Sequence, residues 1–241
     1  MIDEVLNDLK DLSRKGPVSA TTMGSNAVGK TLQSCLGIAH STTSRNKYKG
    51  FTITATTASG NNRTNLFAQV PDWKISELCS SKELVDRYGT KDESGKYERS
   101  LFCTVTARQP NTFGLMLKVD RPSQKLEEIY NAGGVQSRVA TWDSEKLASK
   151  LRSLDKSVIV SAKRLKDEGG ISFHYRYAEF FMAPSFDEFL SQVEAGAITL
   201  DHLVSLRHGS NAAREQGPLF KVSKSSRVSL FGEYQKFDLM A

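Results

Sequence analysis

Residues 12–71 read LSRKGPVSATTMGSNAVGKTLQSCLGIAHSTTSRNKYKGFTITATTASGNNRTNLFAQVP. The whole chain has 241 residues and 27 acids, yet this stretch contains neither Asp nor Glu. Its charged residues are all basic: Arg14, Lys15, Lys30, Arg45, Lys47, Lys49 and Arg63. Such a segment, rich also in Gly, Ser, Thr and Asn, suits a polyanionic ligand. It cannot hold Mg²⁺ on its own, because hard cations prefer carboxylate oxygens.

The apolar pattern in and around this stretch predicts a mixed α/β fold. From the N-terminus to Leu12, apolar residues recur at helical spacing, and Gly16 is expected to end that helix. A second short helix is expected over 30–38. The alternating, Thr-rich segment 51–57 is expected to form a strand.

The same elements continue downstream. Further helices are predicted over 72–88, from Asp143 onward, and from a capping box at Ser185 and Glu188 to Gly196. The predicted strands are a pair at 101–107 and 113–119, then 157–163, 171–178, 198–206 and 219–222. Because no linker or repeat interrupts the pattern, we predict one α/β domain, 1–241, with two lobes at most.

The totals limit the class of protein. Lys and Arg number 33 against 27 acids, so the formal net charge is +6, which suits nucleic acid but also describes many basic soluble proteins. The 3 cysteines form no CxxC pair and indicate neither a zinc site nor a disulfide framework. We therefore expect a reducing, cytoplasmic setting. No apolar run is long enough to span a membrane, and the N-terminus is not signal-like.

The segment 24–31 reads GSNAVGKT and matches the phosphate-loop pattern GxxxxGK[ST]. That pattern needs a buried strand before it, and the preceding 17–23, PVSATTM, makes a poor one. It also needs a metal-binding Asp on a later apolar strand, where only 115–120 is a candidate. An NTP-binding module stays open as an alternative. A helix start with Lys30 can equally hold a DNA phosphate.

Two polar runs near the C-terminus contain residue types that read base edges in a DNA groove. They are Arg207-His208-Gly209-Ser210-Asn211 and Arg214-Glu215-Gln216-Gly217. An ordinary solvated loop would use the same residues, so both interpretations stay open. The four histidines show no spacing typical of metal ligands.

Several runs, in order along nearly the whole chain, carry a resemblance to one family. They are 4–9 with Lys15-Gly16, 28–32 with 36–38, 65–67, DRYGTKDESG at 86–95, Trp142-Asp143, 158–162 and GPLFK at 217–221. On these runs the chain resembles the MvaI/BcnI restriction endonucleases, which are monomeric, MutH-like members of the PD-(D/E)xK nuclease superfamily. The most specific single match is 86–95.

The resemblance implies a restriction-endonuclease-like fold: a central mixed sheet flanked by helices, in two lobes that form a DNA-binding cleft. It also implies Mg²⁺-assisted phosphodiester hydrolysis by carboxylates and a Lys. The family's helix Glu aligns with Gln33, its Asp aligns near Lys47, and its Glu-x-Lys falls on Thr52 and Thr54. None of these acids is present, nor is the Lys, and the acid-free stretch offers no shifted substitute.

We therefore predict a catalytically inactive, monomeric protein that binds duplex DNA without a cofactor, either alone or as a specificity or scaffold subunit beside a separate nuclease in a restriction or defence system. The residues expected to contact DNA are Lys30, Lys47, Lys49, Arg63, Arg207, His208, Arg214, Gln216 and Lys221. The alternative is an active Mg²⁺-dependent nuclease with relocated acids. Asp8, Asp72 and Asp120 are the candidates, although a helix surface position explains Asp8 and a helix cap explains Asp72 more simply.

Overall fold

The structure is a computed structural model that describes residues 1–24, 26–38, 47–57, 63–210, 212–215 and 217–241. The chain divides into two compact units. Unit 1 consists of Met1–Asn61, Leu154–Pro184 and Phe231–Ala241, and unit 2 consists of Asn62–Ser153 and Ser185–Leu230. The chain passes from one unit to the other more than once. That the two units act as one domain with two lobes stays a prediction.

Helices and strands are mixed along the chain, which confirms the predicted α/β class. In the described ranges the helices are α1 Ile2–Arg14, α2 Ala27–Cys35, α3 Ser81–Tyr88, α4 Ser144–Arg152 and α5 Phe186–Glu194, with a short 3₁₀ helix at Val228–Leu230. The strands are β1 Val18–Ser19, β2 Lys47–Tyr48, β3 Phe51–Thr57, β4 Arg63–Ala68, β5 Thr90–Lys91, β6 Arg99–Val105, β7 Leu115–Asp120, β8 Lys125–Ala132, β9 Val135–Trp142, β10 Ser157–Asp167, β11 Gly170–Pro184, β12 Ile198–Leu206, β13 Ala213–Glu215, β14 Leu219–Ser223 and β15 Phe231–Asp238.

Unit 1 is built on a mixed sheet in the order β1-β11-β10-β3-β2, with β15 added along β11. Strands β3 and β10 are parallel, and the other pairs are antiparallel. Helices α1 and α2 supply apolar side chains to the core on one face of this sheet, where they meet Phe51 and Ile53 of β3. Leu9 and Leu32 are almost fully buried there, which is the burial that the helical spacing predicts.

Unit 2 contains a sheet in the order β4-β14-β12-β6-β5, with β13 paired to β12, and a second sheet in the order β7-β8-β9. Its core is mostly aliphatic and contains one cluster of aromatic side chains. Phe220 is fully buried and has its ring centroid 5.3 Å from Phe67, 5.7 Å from Phe189 and 5.9 Å from Trp142. Such pairs add specific geometry to the burial of a large apolar area.

Several predicted helix boundaries are confirmed. Helix α1 ends as expected at Gly16, whose φ of 81° suits glycine. Asp143 caps α4, and Ser185 caps α5 by accepting a hydrogen bond from the Glu188 amide. Among the described helices, none is both long and apolar enough to cross a lipid bilayer.

Two local predictions are wrong. The helix expected over 72–88 covers only Ser81–Tyr88, because Ser80 caps it and 73–75 form a turn instead. The strands predicted at 101–107 and 113–119 are not paired with each other. Strand β6 pairs with β5 and β12, whereas β7 pairs with β8.

Candidate nucleic-acid interface

One face of the unit 1 sheet is lined by hydroxyl groups. Residues that lie directly opposite each other on paired strands point to the same face of the sheet. The register therefore places every second side chain of β3, starting at Thr52, and of β10, starting at Ser157, on the face away from Phe51 and Ile53. We call the hydroxyl-bearing members of this set the hydroxyl face; they are Thr52, Thr54, Thr56, Ser157 and Ser161, and the apolar Ile159 lies among them, opposite Thr54.

The hydroxyl face contains two of the four positions that align with the family's catalytic residues, Thr52 and Thr54. Lys47 lies directly opposite Thr52 on β2, so it shares this face. Gln33 lies on α2, whose Val28 and Leu32 pack into the core on the other face of the sheet. The structure thus brings Lys47, Thr52 and Thr54 together, and separates Gln33 from them by the sheet.

The side chains on the hydroxyl face do not fit Mg²⁺. Threonine hydroxyls beside a lysine supply no carboxylate for a hard cation. By register, Glu179 shares the face, but it lies two strands from Thr54, about 10 Å away at normal strand spacing. Glu179 also accepts a 2.8 Å hydrogen bond from the Tyr234 hydroxyl. Within the described residues no three His, Cys, Asp or Glu side chains converge as metal ligands would.

The acids considered as relocated catalytic groups have other partners. Asp8 accepts hydrogen bonds from the Tyr48 hydroxyl at 2.8 Å and from the Lys49 ammonium at 2.5 Å. Tyr48 lies opposite Phe51, so this contact belongs to the helix-covered face of the sheet. The hydrogen bond from Lys49 holds the pKa of Asp8 below its usual range.

The two remaining candidates lie in unit 2. Asp72 pairs with Lys146 of α4 at 2.6 Å, and its backbone N–H donates to the Thr141 carbonyl. Asp72 is therefore a turn residue held by an ion pair, and the predicted helix cap is wrong. Asp120 accepts a short hydrogen bond from the Ser123 hydroxyl at the end of β7.

A second surface lies on the sheet of unit 2. Asp201 of β12 is buried and accepts hydrogen bonds from Arg63 Nη1 at 3.1 Å, Lys221 Nζ at 2.5 Å and Thr104 Oγ1 at 2.8 Å. Four residues further along β12 from Asp201, Ser205 lies opposite Arg214, whose exposed side chain therefore points to the same face. We call this set the cationic face; its members are Arg63, Thr104, Thr199, Asp201, Ser205, Arg214 and Lys221.

The cationic face brings together three residues predicted to contact DNA. Arg63 comes from β4, far in sequence from β13 and β14, which supply Arg214 and Lys221. Among the described strand residues that point to this face, the one acid is Asp201. Arg63 is also fixed by a 2.7 Å hydrogen bond to the Thr199 hydroxyl. The cationic face therefore has three cations and one acid. Asp201 holds two of the cations, Arg63 and Lys221, in place.

Asp201 links the electrostatics of this face to stability. Burial by itself raises the pKa of Asp201, but hydrogen bonds from Lys221 and Thr104 and the charge of Arg63 more than offset this, so the pKa lies below its usual 3.8. A lowered pKa stabilises the fold at pH values above 3.8, and the stabilisation is lost as the pH falls through the native value.

We expect Asp201→Asn to reduce this acid sensitivity. Wild type should lose more of its free energy of unfolding than the variant between pH 6 and pH 3, because only wild type must also protonate the paired carboxylate of Asp201. Urea unfolding at a series of pH values measures the difference between the two proteins. If the free energy of unfolding falls with pH equally in wild type and variant, Asp201 does not contribute as described.

The remaining predicted contacts are scattered. Arg207 and His208 are exposed after β12, and the His208 ring lies 3.3 Å from the Gly95 carbonyl. Lys30 is exposed on α2, and Lys49 is paired with Asp8. Gln216 and Asn211 lie outside the described residues. The roles of all these residues in binding DNA stay predictions.

The geometry around Lys30 does not resemble a phosphate loop. The preceding strand, β1, has two residues and pairs antiparallel with β11. Thr31 is fully buried, and its hydroxyl accepts a 3.1 Å hydrogen bond from the Thr21 amide. The hydroxyl that would meet Mg²⁺ in a phosphate loop is therefore engaged with the protein backbone, which counts against the NTP-binding alternative.

Sequence reasoning did not single out Asp201, and it placed Glu215 in a run considered for base reading. Asp201 interrupts the apolar strand ITLDHLVSL, and a lone carboxylate in such a run is a signal for buried pairing. Glu215 lies beside Arg214 on β13 but opposite Val204, so it points to the inner face, where it accepts a 2.6 Å hydrogen bond from Ser81 Oγ. The inward Glu215 fixes the outward direction of Arg214, because side chains alternate along a strand.

Comparisons with known proteins agree with this architecture. The family model described as "MvaI/BcnI restriction endonuclease family" matches residues 6–231. A solved structure titled "Restriction endonuclease MvaI-cognate DNA substrate complex" is similar with a TM-score of 0.79 at 18% identity, covering 98% of this chain and 97% of that chain. A structure of the same enzyme "in the absence of DNA" has a TM-score of 0.59 at 18% identity and covers 98% and 96%. A comparison with curated protein sequences found no significant match.

Proposed function

The chain belongs to the MvaI/BcnI restriction endonuclease family, and from this we propose that it binds duplex DNA and does not hydrolyse it. One observation carries the proposal. At the positions where the family resemblance places metal-binding carboxylates and a lysine, unit 1 presents Thr52 and Thr54 beside Lys47. Those groups can bind a phosphate, but they cannot hold the metal ion that the family's hydrolysis uses.

The chemistry of the hydroxyl face supports metal-free binding. Serine and threonine hydroxyls and lysine ammonium groups are common donors to DNA phosphate oxygens. In a carboxylate site, the metal must neutralise the acids before a phosphate can approach. Replacing the acids with hydroxyls removes that repulsion, so we propose that the phosphate backbone binds here without a divalent cation.

The cationic face supports the same ligand. Arg63, Arg214 and Lys221 offer guanidinium and ammonium groups on one surface, and Ser205 adds a hydroxyl. Arginine is suited to bidentate contacts with phosphate and with guanine edges. We propose that Arg214, whose side chain is exposed, contacts bases, and that Arg63 and Lys221 contact phosphates next to it. The structure titled as a complex of MvaI with cognate DNA supports DNA as the ligand class.

A substitution on α2 tests whether DNA also contacts the helix-covered side of the unit 1 sheet. We expect Lys30→Ala to weaken binding to all duplex sequences similarly and to lower the slope of log K against log salt by about 1, because one phosphate contact is lost. Fluorescence anisotropy with two unrelated duplexes at several salt concentrations measures both effects.

The control for this experiment is Lys150→Ala, which removes an exposed helical lysine of unit 2 that is not among the residues predicted to contact DNA. Lys150→Ala should bind like wild type. Unchanged affinity and salt slope for Lys30→Ala would remove Lys30 from the interface.

A further inference from the structure

Unit 2 contains an aromatic pocket that the proposed function does not use. Its volume is about 400 Å³, within the range of pockets that hold small molecules. It is lined by Arg87, Tyr88, Phe113, Tyr130, Val135 and Ser137. Arg87 and Tyr88 belong to the run 86–95, which is the most specific local match in the sequence and has no role so far.

The aromatic walls of the pocket are fixed by their scaffold. The rings of Tyr88 and Tyr130 are stacked, with centroids 5.7 Å apart and planes inclined by 29°. The backbone of Gly114 passes so close to Tyr130 that a Cβ there would lie 2.6 Å from the ring, and the φ of Gly114 is 76°. A 2.7 Å hydrogen bond from the Asn131 amide to the Gly114 carbonyl holds this approach. The Tyr130 ring is therefore presented in a defined position.

The polar lining of the pocket indicates the charge of its ligand. The Arg87 guanidinium lies over the Tyr88 ring, 5.8 Å from its centroid. Arg87 is exposed, and in the described ranges no carboxylate forms an ion pair with it. Ser137, directly opposite Tyr130 on β9, adds a hydroxyl. Aromatic faces beside an arginine without an acidic partner suit a planar ring that carries an anionic group.

We infer that this pocket binds one nucleotide unit, with the base against Tyr130 and Phe113 and the phosphate on Arg87. Two sources share this chemistry: an unpaired nucleotide in a DNA strand and a free nucleotide. The inference goes beyond duplex binding, because a fully paired duplex keeps its bases stacked and cannot place one in a pocket.

The experiment uses the full chain and the fluorescent base 2-aminopurine in three probes. One is the free deoxynucleotide monophosphate, the second is a duplex with a single unpaired 2-aminopurine, and the third is the same duplex fully paired. We expect quenching of the first or second probe on binding. Arg87→Gln and Tyr130→Leu should each weaken that binding about fivefold or more, because base stacking and phosphate contacts are lost.

The matched control is Lys96→Gln. Lys96 lies 5.4 Å from the centroid of Tyr97 in the same unit, so the substitution removes a similar cation–ring contact outside the pocket. Arg87 is a surface residue, so Arg87→Gln tests the site even if Tyr130→Leu fails to fold. If the pocket variants lose binding of the free nucleotide alone, or of the unpaired duplex alone, the result would support the pocket and identify the source of its ligand.

The pocket assignment is overturned if neither of the first two probes binds, or if both variants bind them as Lys96→Gln does. The fully paired duplex reports separately on the proposed function. Its binding should be unchanged in Arg87→Gln. A chain that binds the paired duplex but shows no pocket effect refutes this inference alone, whereas a chain that binds only the nucleotide refutes duplex binding alone.

Discussion

Thr52→Glu is expected to weaken binding of duplex DNA in the absence of metal at least tenfold relative to Thr52→Gln. The two substitutions add side chains of similar size to the hydroxyl face, and only the first adds a negative charge. Two like charges 4 Å apart repel by about 4 kcal/mol at an effective dielectric constant of 20. Solvent reduces this figure, and a tenfold loss needs only about 1.4 kcal/mol. Titrations with EDTA present measure the two affinities.

A second control separates local repulsion from a change in net charge. Ser149→Glu adds the same charge at an exposed position on α4 of unit 2, and we expect only a small effect on affinity. Equal affinities for Thr52→Glu and Thr52→Gln would mean that no phosphate approaches Thr52. A further expectation is that Mg²⁺ restores part of the binding lost in Thr52→Glu, since the new carboxylate attracts the cation.

His202→Ala is expected to destabilise the protein by about 3–5 kcal/mol, the usual cost of leaving one member of a buried ion pair alone. The His202 ring and the Glu128 carboxylate are both fully buried, and their nearest atoms are 2.9 Å apart. The variant leaves the buried Glu128 side chain without its His202 partner. Urea unfolding measures the loss. Lys82→Ala, which breaks an exposed pair with Asp86, should cost at most about 1 kcal/mol.

The same pair gives a dependence on pH. Burial by itself lowers the pKa of His202, but the charge of Glu128 and its hydrogen bond more than offset this, so the pKa lies above its usual 6.5. A raised pKa stabilises the fold below pH 6.5, and the stabilisation is lost as the pH rises through the native value. Replacing both residues with Leu should recover much of the loss. If His202→Ala is as stable as wild type, this description of the buried pair is wrong.

Elements with local signals could be predicted from the sequence. The apolar spacing and Gly16 define α1, and the Ser185 capping box defines the start of α5. Helix α3 has its own capping signal, because Ser80 and Glu83 have the capping-box spacing, and the Glu83 amide donates to the Ser80 side chain. Asp72 also looks like a helix cap in the sequence. Its true role, a turn residue paired with Lys146, could not be predicted, because Lys146 belongs to a distant helix.

Strand pairing was harder to predict because it depends on contacts between distant segments. Consecutive strands often pair with each other. Strand β6 instead pairs along its length with β12, which lies about a hundred positions further along the chain. The β8–β9 hairpin, in contrast, had a local signal that the sequence reasoning did not use. Gly133 and Gly134 form its two-residue turn, and both have positive φ angles, as a type I′ turn requires.

The candidate site likewise has one part that could be predicted from the sequence and other parts that could not. The period of two along β3 already predicts that Thr52 and Thr54 share a face. The cationic face could not be predicted, because Arg63, Asp201 and Lys221 meet only when β4, β12 and β14 pair. The contact between Asp8 and Lys49 was likewise hidden, since it joins α1 to the turn after β2.

The central claim is that the chain holds duplex DNA without a metal and does not cut it. One measurement tests both parts: the same protein sample is titrated with labelled duplex in EDTA and incubated with plasmid DNA in Mg²⁺ or Mn²⁺. We expect binding in EDTA that Mg²⁺ does not strengthen, and plasmid that stays intact. Binding that requires Mg²⁺, or plasmid cleavage by the purified protein, would contradict the account.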